Sequence, residues 1–107
     1  IFRLLSKYLT NGNIFIMKQQ LVFKALADGT RRDILRVLRS GSKSAGELSE
    51  EFSITKASLS HHLALLLSAE LVRRERRGQQ LIYSLNSSVA EEVMAILFGL
   101  FSHKEDS

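Results

Sequence analysis

The sequence predicts a mainly helical fold with one small β-hairpin, and three observations carry that prediction. Two short helical patterns stand so close that only a tight turn fits between them. An arginine-rich, β-prone hairpin follows directly, and apolar residues recur at helical spacing on both sides of this unit. Together these define a winged helix-turn-helix. At 107 residues, 45% apolar and 24% charged, the chain has the balance of one folded domain with a single core.

The elements follow in order. Met17 opens an ordinary globular start, so residues 1–16 are expected to be an N-terminal extension and 17–107 the domain. Within the extension, Leu4, Leu5, Tyr8 and Leu9 would make a short amphipathic helix closed by Asn11-Gly12. Lys18 to Ala27 reads as a helix from Leu21, Val22, Ala25 and Leu26. Asp28-Gly29-Thr30 interrupts it and caps a second helix, Arg31 to Arg39. There Ile34, Leu35 and Leu38 face inward, while Arg31, Arg32, Arg36 and Arg39 are expected in solvent. Ser44 and Glu47 match a capping box that starts a short helix running to about Phe52. Ser53-Ile54 leaves room only for a turn before Thr55 caps the next helix.

That helix is the one able to enter a groove. On a helical wheel Leu59, His62, Leu63, Leu66 and Leu67 share one side, and Ala57, Ser58, His61, Ala64 and Ser68 the other. After it, Leu71 to Arg76 and Gln80 to Leu85 flank Arg77-Gly78-Gln79, where Gly78 supplies the positive φ of a tight hairpin. Leu81, Tyr83 and Leu85 alternate onto one face of it. Ser87-Ser88 is expected to cap a last helix, with Ser88 and Glu91 as a second capping box. This helix carries two apolar stripes, one of Val89, Val93, Ile96, Leu97 and Leu100, the other of Met94, Phe98 and Phe101. A wide core stripe would absorb both. The other reading is a homodimer interface formed by Leu21, Val22, Val93, Met94, Leu97, Phe98 and Phe101 of the first and last helices.

Charge localises the candidate chemistry. The whole chain is +4, and the segment Ile54 to Gln80 alone carries a net +3. Arg73, Arg74, Arg76 and Arg77 line the hairpin, whose tip is Gln79. Taken alone this is as readily a solvated surface, but directly after a helix-turn-helix it suits the phosphate backbone of double-stranded DNA. Thr55 and Lys56 are the expected anchors, and Ser58 and His61 the expected readers of base edges. Ala57 is suited to a thymine methyl or to close approach. His62, on the leucine side, is expected to pack and hydrogen-bond.

Other classes find little support. Without cysteine the chain has no disulfide, thiolate site or cysteine nucleophile. His61, His62 and His103 fit no metal-ligand spacing, and neither a phosphate-binding glycine loop nor a nucleophile–base pair is present, so no enzyme activity and no cofactor are expected. The acidic pairs Glu50-Glu51 and Glu91-Glu92 read as solvated helix faces. Val93 to Phe101, the longest apolar run, is about half the ~20 residues that span a bilayer. The N-terminus has no signal-cleavage pattern, so a cytoplasmic location without membrane insertion is expected.

These residues resemble the ArsR family of small bacterial winged-helix repressors. Lys24-Ala25-Leu26-Ala27-Asp28-Gly29-Thr30-Arg31-Arg32-Asp33-Ile34-Leu35 is similar to its opening, although Gly29 stands where the family usually has proline. Ser58-Leu59-Ser60-His61-His62-Leu63 is similar to its recognition helix, and Gly78 to Asn86 to its wing. The resemblance spans about Val22 to Phe101. It implies a homodimer, paired through first and last helices, that represses transcription at a near-palindromic operator. It also implies that the helix before the turn is where metal-sensing members carry thiolates. Here Ser49 and Glu51 hold those places. The chain is thus closer to the metal-free members, the sporulation-delay autorepressor type among them, with a small molecule or a sequestering protein in place of a metal signal. Ala57 replaces a serine common in that helix, which removes one expected hydrogen bond.

Overall fold

The computed structural model describes residues 12–103, with side chains from Lys18 onward. Five helices and three short strands follow in the order α1 (Gly12–Leu26), α2 (Gly29–Leu38), β1 (Lys43–Ser44), α3 (Ala45–Glu51), α4 (Lys56–Ser68), β2 (Val72–Arg77), β3 (Gln80–Leu85) and α5 (Ser87–Phe101). The antiparallel sheet has the order β1-β3-β2, and β2 and β3 form the expected hairpin. β1 escaped the sequence because two residues, lysine and serine, carry no strand pattern. It adds an edge by pairing Lys43 with Tyr83 and Ser44 with Ile82.

α1 begins before the expected Lys18 and runs through the 16–17 junction unbroken. Neither glycine nor proline occurs between Asn13 and Ala27, so nothing in that stretch stops a helix. The short helix expected over Leu4 to Leu9 lies outside the described residues.

Three of the four expected caps form. The Asp28 carboxylate accepts the Arg31 amide at 3.1 Å, and the Thr55 hydroxyl accepts the Ser58 amide at 3.0 Å. Ser44 and Glu47 complete their reciprocal box at 3.1 and 2.8 Å. The fourth does not: α5 starts at Ser87 after Asn86, and no side chain caps it. Asn86 is engaged elsewhere, its amide donating to the Glu70 carbonyl at 2.9 Å and its oxygen accepting from Arg73 at 3.3 Å. The hairpin base is thereby tied across both ends.

α4 ends with Glu70 in the left-handed region, at φ 59°. The Glu70 and Leu71 amides return to the carbonyls of Leu67 and Leu66, closing a Schellman motif that turns the chain into β2. A non-glycine residue here is strained; Glu70 also holds a 2.9 Å ion pair with Lys18 of α1.

The core is one cluster. Val22 and Ala25 of α1, Ile34 and Leu38 of α2, Leu48 of α3, Leu59, Leu63 and Leu66 of α4, Tyr83 of β3 and Val93 of α5 are all buried in it. Two members of the proposed dimer face are thereby corrected. Val22 (2% exposed) and Val93 (7%) are buried in the chain's own core cluster and are not free for a partner. Arg31 is corrected too. Expected in solvent, it is 8% exposed and lies beneath the α1–α2 corner. Its Nε and Nη2 donate to the carbonyls of Ala25 (2.8 Å) and Lys24 (3.1 Å), and its Nη1 lies 3.0 Å from His62 Nδ1 on α4.

The caps carry a pH signature. The Arg31 amide holds the Asp28 carboxyl below its usual range, and the Ser44 amide does the same for Glu47. A carboxyl whose folded value is lowered stabilises the fold fully above the ordinary carboxylate range near ~4, and that stability is lost as pH falls through the lower folded value. Urea midpoints measured from pH 6 downward should therefore fall less steeply for Asp28→Asn and Glu47→Gln than for the parent chain.

Candidate nucleic-acid interface

The helix-turn-helix is built from α3, the turn Phe52 to Thr55, and α4. α4 buries Leu59, Leu63 and Leu66 and presents Thr55, Lys56, Ala57, Ser60 and His61 to solvent, with Ser58 partly covered beside the cap. The exposed side chains are small apart from Lys56 and His61, so another surface can approach the helix closely. The uncapped first-turn amides and Lys56 together favour an anion at that end.

The hairpin stands beside this helix. A concave surface of about 270 Å³ joins them, lined by Ala45, Ser49, Lys56, Ser60, Leu81 and Tyr83. One of the two positions where family resemblance implies a thiolate, Ser49, thus faces the groove next to the exposed side of α4. At the tip, Gly78 takes φ +63°, as the two-residue turn between Arg77 and Gln80 requires, and Gln79 is exposed beside it.

The four hairpin arginines divide by strand alternation. Arg74 and Arg76 oppose Tyr83 and Leu81 and so share the face that looks into the groove. Arg73 and Arg77 occupy the other face, where each meets a partner within the chain. Arg73 donates to Asn86, and Arg77 holds Glu75 through Nε at 2.9 Å and Nη2 at 2.8 Å. All four are exposed. Sequence reasoning grouped them as one patch. It missed the role of Glu75, which neutralises Arg77 locally, and that of Asn86, which anchors Arg73. Strand alternation alone could have separated the two pairs.

The adjacent histidines diverge. Their ring centroids are 5.9 Å apart with planes tilted by 56°. His61 is exposed with the proposed readers, whereas the His62 side chain is 14% exposed and engages Arg31, as expected for a packed histidine. Among the described residues, no three His, Asp or Glu side chains gather as a metal site.

A family model described as a helix-turn-helix domain matches residues 26–75. The transcriptional repressor SdpR of Bacillus subtilis is 48% identical over 71 residues, covering 66% of this chain and 79% of that protein. The arsenical resistance operon repressor of the same organism is 39% identical over 83 residues, covering 77% of this chain and 76% of the relative. Among solved structures, an ArsR-like transcriptional regulator from Rhodococcus sp. RHA1 superposes with a TM-score of 0.74 at 25% identity, covering 78% of this chain and 77% of that one.

The split among the arginines is measurable in the salt dependence of binding to a random duplex. Arg76→Ala should lower the slope of log affinity against log salt by about 0.9, the value for one lost phosphate contact. Arg77→Ala should lower it less, because Glu75 competes for that guanidinium. Equal losses would show that the Glu75 pair opens freely on the nucleic acid.

Proposed function

The chain belongs to the ArsR family of winged helix-turn-helix transcriptional repressors, and on that footing we propose that it represses as a homodimer on a near-palindromic operator without using a metal signal. The observation that carries this reading is the pairing of an exposed, small-residue face on α4 with an arginine hairpin across one groove. Thr55 and Lys56 anchor the helix end to phosphate. Ser58, Ser60 and His61 meet base edges, and Ala57 admits close approach or a thymine methyl. Arg74 and Arg76 hold the flanking backbone, with Arg73, Arg77 and Gln79 at the outer edge of the same contact. Few of these side chains read a base through two hydrogen bonds. Selectivity then rests substantially on DNA shape and on two half-sites.

The dimer reading draws on the apolar surface left uncovered. Met94 is 67% exposed, Phe98 74% and Phe101 85%, with Leu21 and Leu97 near 40%. A second copy covers such a face and sets two α4 helices about 34–36 Å apart, one turn of duplex. Metal independence draws on the donor set: there is no cysteine anywhere, Ser49 and Glu51 are poor replacements for thiolates, and His62 Nδ1 is taken by Arg31. Control then falls to a small molecule or a sequestering protein. Among the described residues no helix is long and apolar enough to cross a membrane, and a promoter-binding role places the protein in the cytoplasm.

Three measurements test this. Mobility shifts on the chain's own upstream region, at two salt concentrations, should show a complex that outlasts the one on random duplex; no preference would favour a winged-helix module for protein partners. Phe98→Glu should give monomers by light scattering and weaken operator binding about a hundredfold, the loss of a second linked contact. Zinc calorimetry should show no tight, stoichiometric binding, and its appearance would restore a metal-sensing reading.

A further inference from the structure

His62 lies one residue from the proposed reader His61, but faces inward onto a buried cation. Arginine carries donors only, so the 3.0 Å contact between Arg31 Nη1 and His62 Nδ1 requires the ring nitrogen to accept. That fixes the neutral ring with its proton on Nε2. Arg31 Nε and Nη2 donate to the last carbonyls of α1, at Ala25 and Lys24, and its own amide is held by Asp28. One guanidinium therefore joins the end of α1, the start of α2 and the middle of α4.

We propose that Arg31 and His62 are positioning residues for DNA recognition: their hydrogen bond sets how α4 is presented, and protonation of His62 breaks it and weakens the preference for the operator. The proposal rests on the DNA-reading role of α4. When Nδ1 gains a proton it can no longer accept, and the imidazolium then faces the Arg31 charge at hydrogen-bond distance. The counter-charge within reach is the Asp28 carboxylate, 3.8 Å from Nδ1. Turning toward it moves the ring, and α4 with it, away from Arg31. Asp28 stays ionised through this range, since the Arg31 amide holds its carboxyl low.

The remaining neighbours do not offset this. From α4 itself comes His61, tilted away and exposed. From α1 come the two carbonyls already taken, with Lys24 exposed and Lys18 paired to Glu70. β2, which also packs on α4, buries only Val72 there. Protonation of His61 would act in the opposite sense, adding positive charge that tightens binding to every duplex. The ratio of affinities for operator and random duplex cancels that effect and isolates the latch.

Fluorescence anisotropy on the chain's own upstream duplex and on a scrambled one, at pH 7.5 and 5.5, reads that ratio. The parent chain should lose about tenfold in the ratio on acidification, the value of one charged hydrogen bond. His62→Asn keeps an oxygen acceptor near the place of Nδ1 and does not titrate, so its ratio should stay high and flat. His62→Leu keeps the packing but removes the acceptor, so its ratio should be low at both pH values. Thermal melts by circular dichroism at both pH values verify that each chain is folded. A parent ratio that is unchanged by pH overturns the proposal, as does His62→Leu matching the parent at pH 7.5. A parent ratio near one at both pH values would instead overturn the DNA-reading role beneath it.

Discussion

A single buried guanidinium holds the architecture together. A helix leaves its last carbonyls without partners, and at the end of α1 two of them, at Lys24 and Ala25, point to Arg31. Taking this charge out of water costs several kcal/mol unless every donor finds an acceptor. The chain supplies them from three places: the α1 carbonyls, His62, and for the backbone amide the Asp28 carboxylate. The arrangement specifies a geometry more than it adds stability. The acceptors lie on three segments, so one group ties the end of α1 and the start of α2 to the middle of α4. Among the described residues no buried side-chain polar atom is left without a partner.

From that corner outward, α4 does two jobs with two faces. Its leucines fill the centre of the core, where Leu66 is wholly buried, so the helix can shift only slightly before it opens a cavity. Its far side is then presented in one orientation. The Schellman turn at Glu70 and the Asn86 bridge carry that orientation into the hairpin, which places Leu81 and Tyr83, the strand partners of Arg76 and Arg74, in one groove with Lys56 and Ser60. Rigidity in the core thus becomes register on the surface.

Much of this was legible in the sequence, for identifiable reasons. Caps are local, and Asp28, Ser44 and Thr55 declare themselves within three residues of the amides they hold. The hairpin was legible from the alternation of Leu81, Tyr83 and Leu85 around one glycine turn. What stayed hidden depends on contacts between distant segments. Arg31 is one of four arginines in residues 31–39, and only the approach of α4, thirty-one residues further on, decides that it is buried while Arg32, Arg36 and Arg39 are not. The cap expected from Ser87-Ser88 does not form because α5 already starts at Ser87, and Asn86 before it spends its side chain on the Glu70 carbonyl and Arg73. Val22 and Val93 share helical periodicity with the residues grouped as a dimer face, and only the packing of the chain shows them buried in its core. The exposed face of α4 was readable as a pattern, and strand alternation separates the hairpin arginines, but the Glu75 and Asn86 partners needed the folded chain.

The central claim is that α4 and the hairpin, not the apolar face of α1 and α5, meet the nucleic acid. Amide chemical shifts recorded while the chain's own upstream duplex is added test it most directly. The account predicts the largest changes at Thr55 to His61 and at Arg73 to Gln79, with Met94 to Phe101 little affected. Changes centred on the end of α5, with α4 silent, would contradict it.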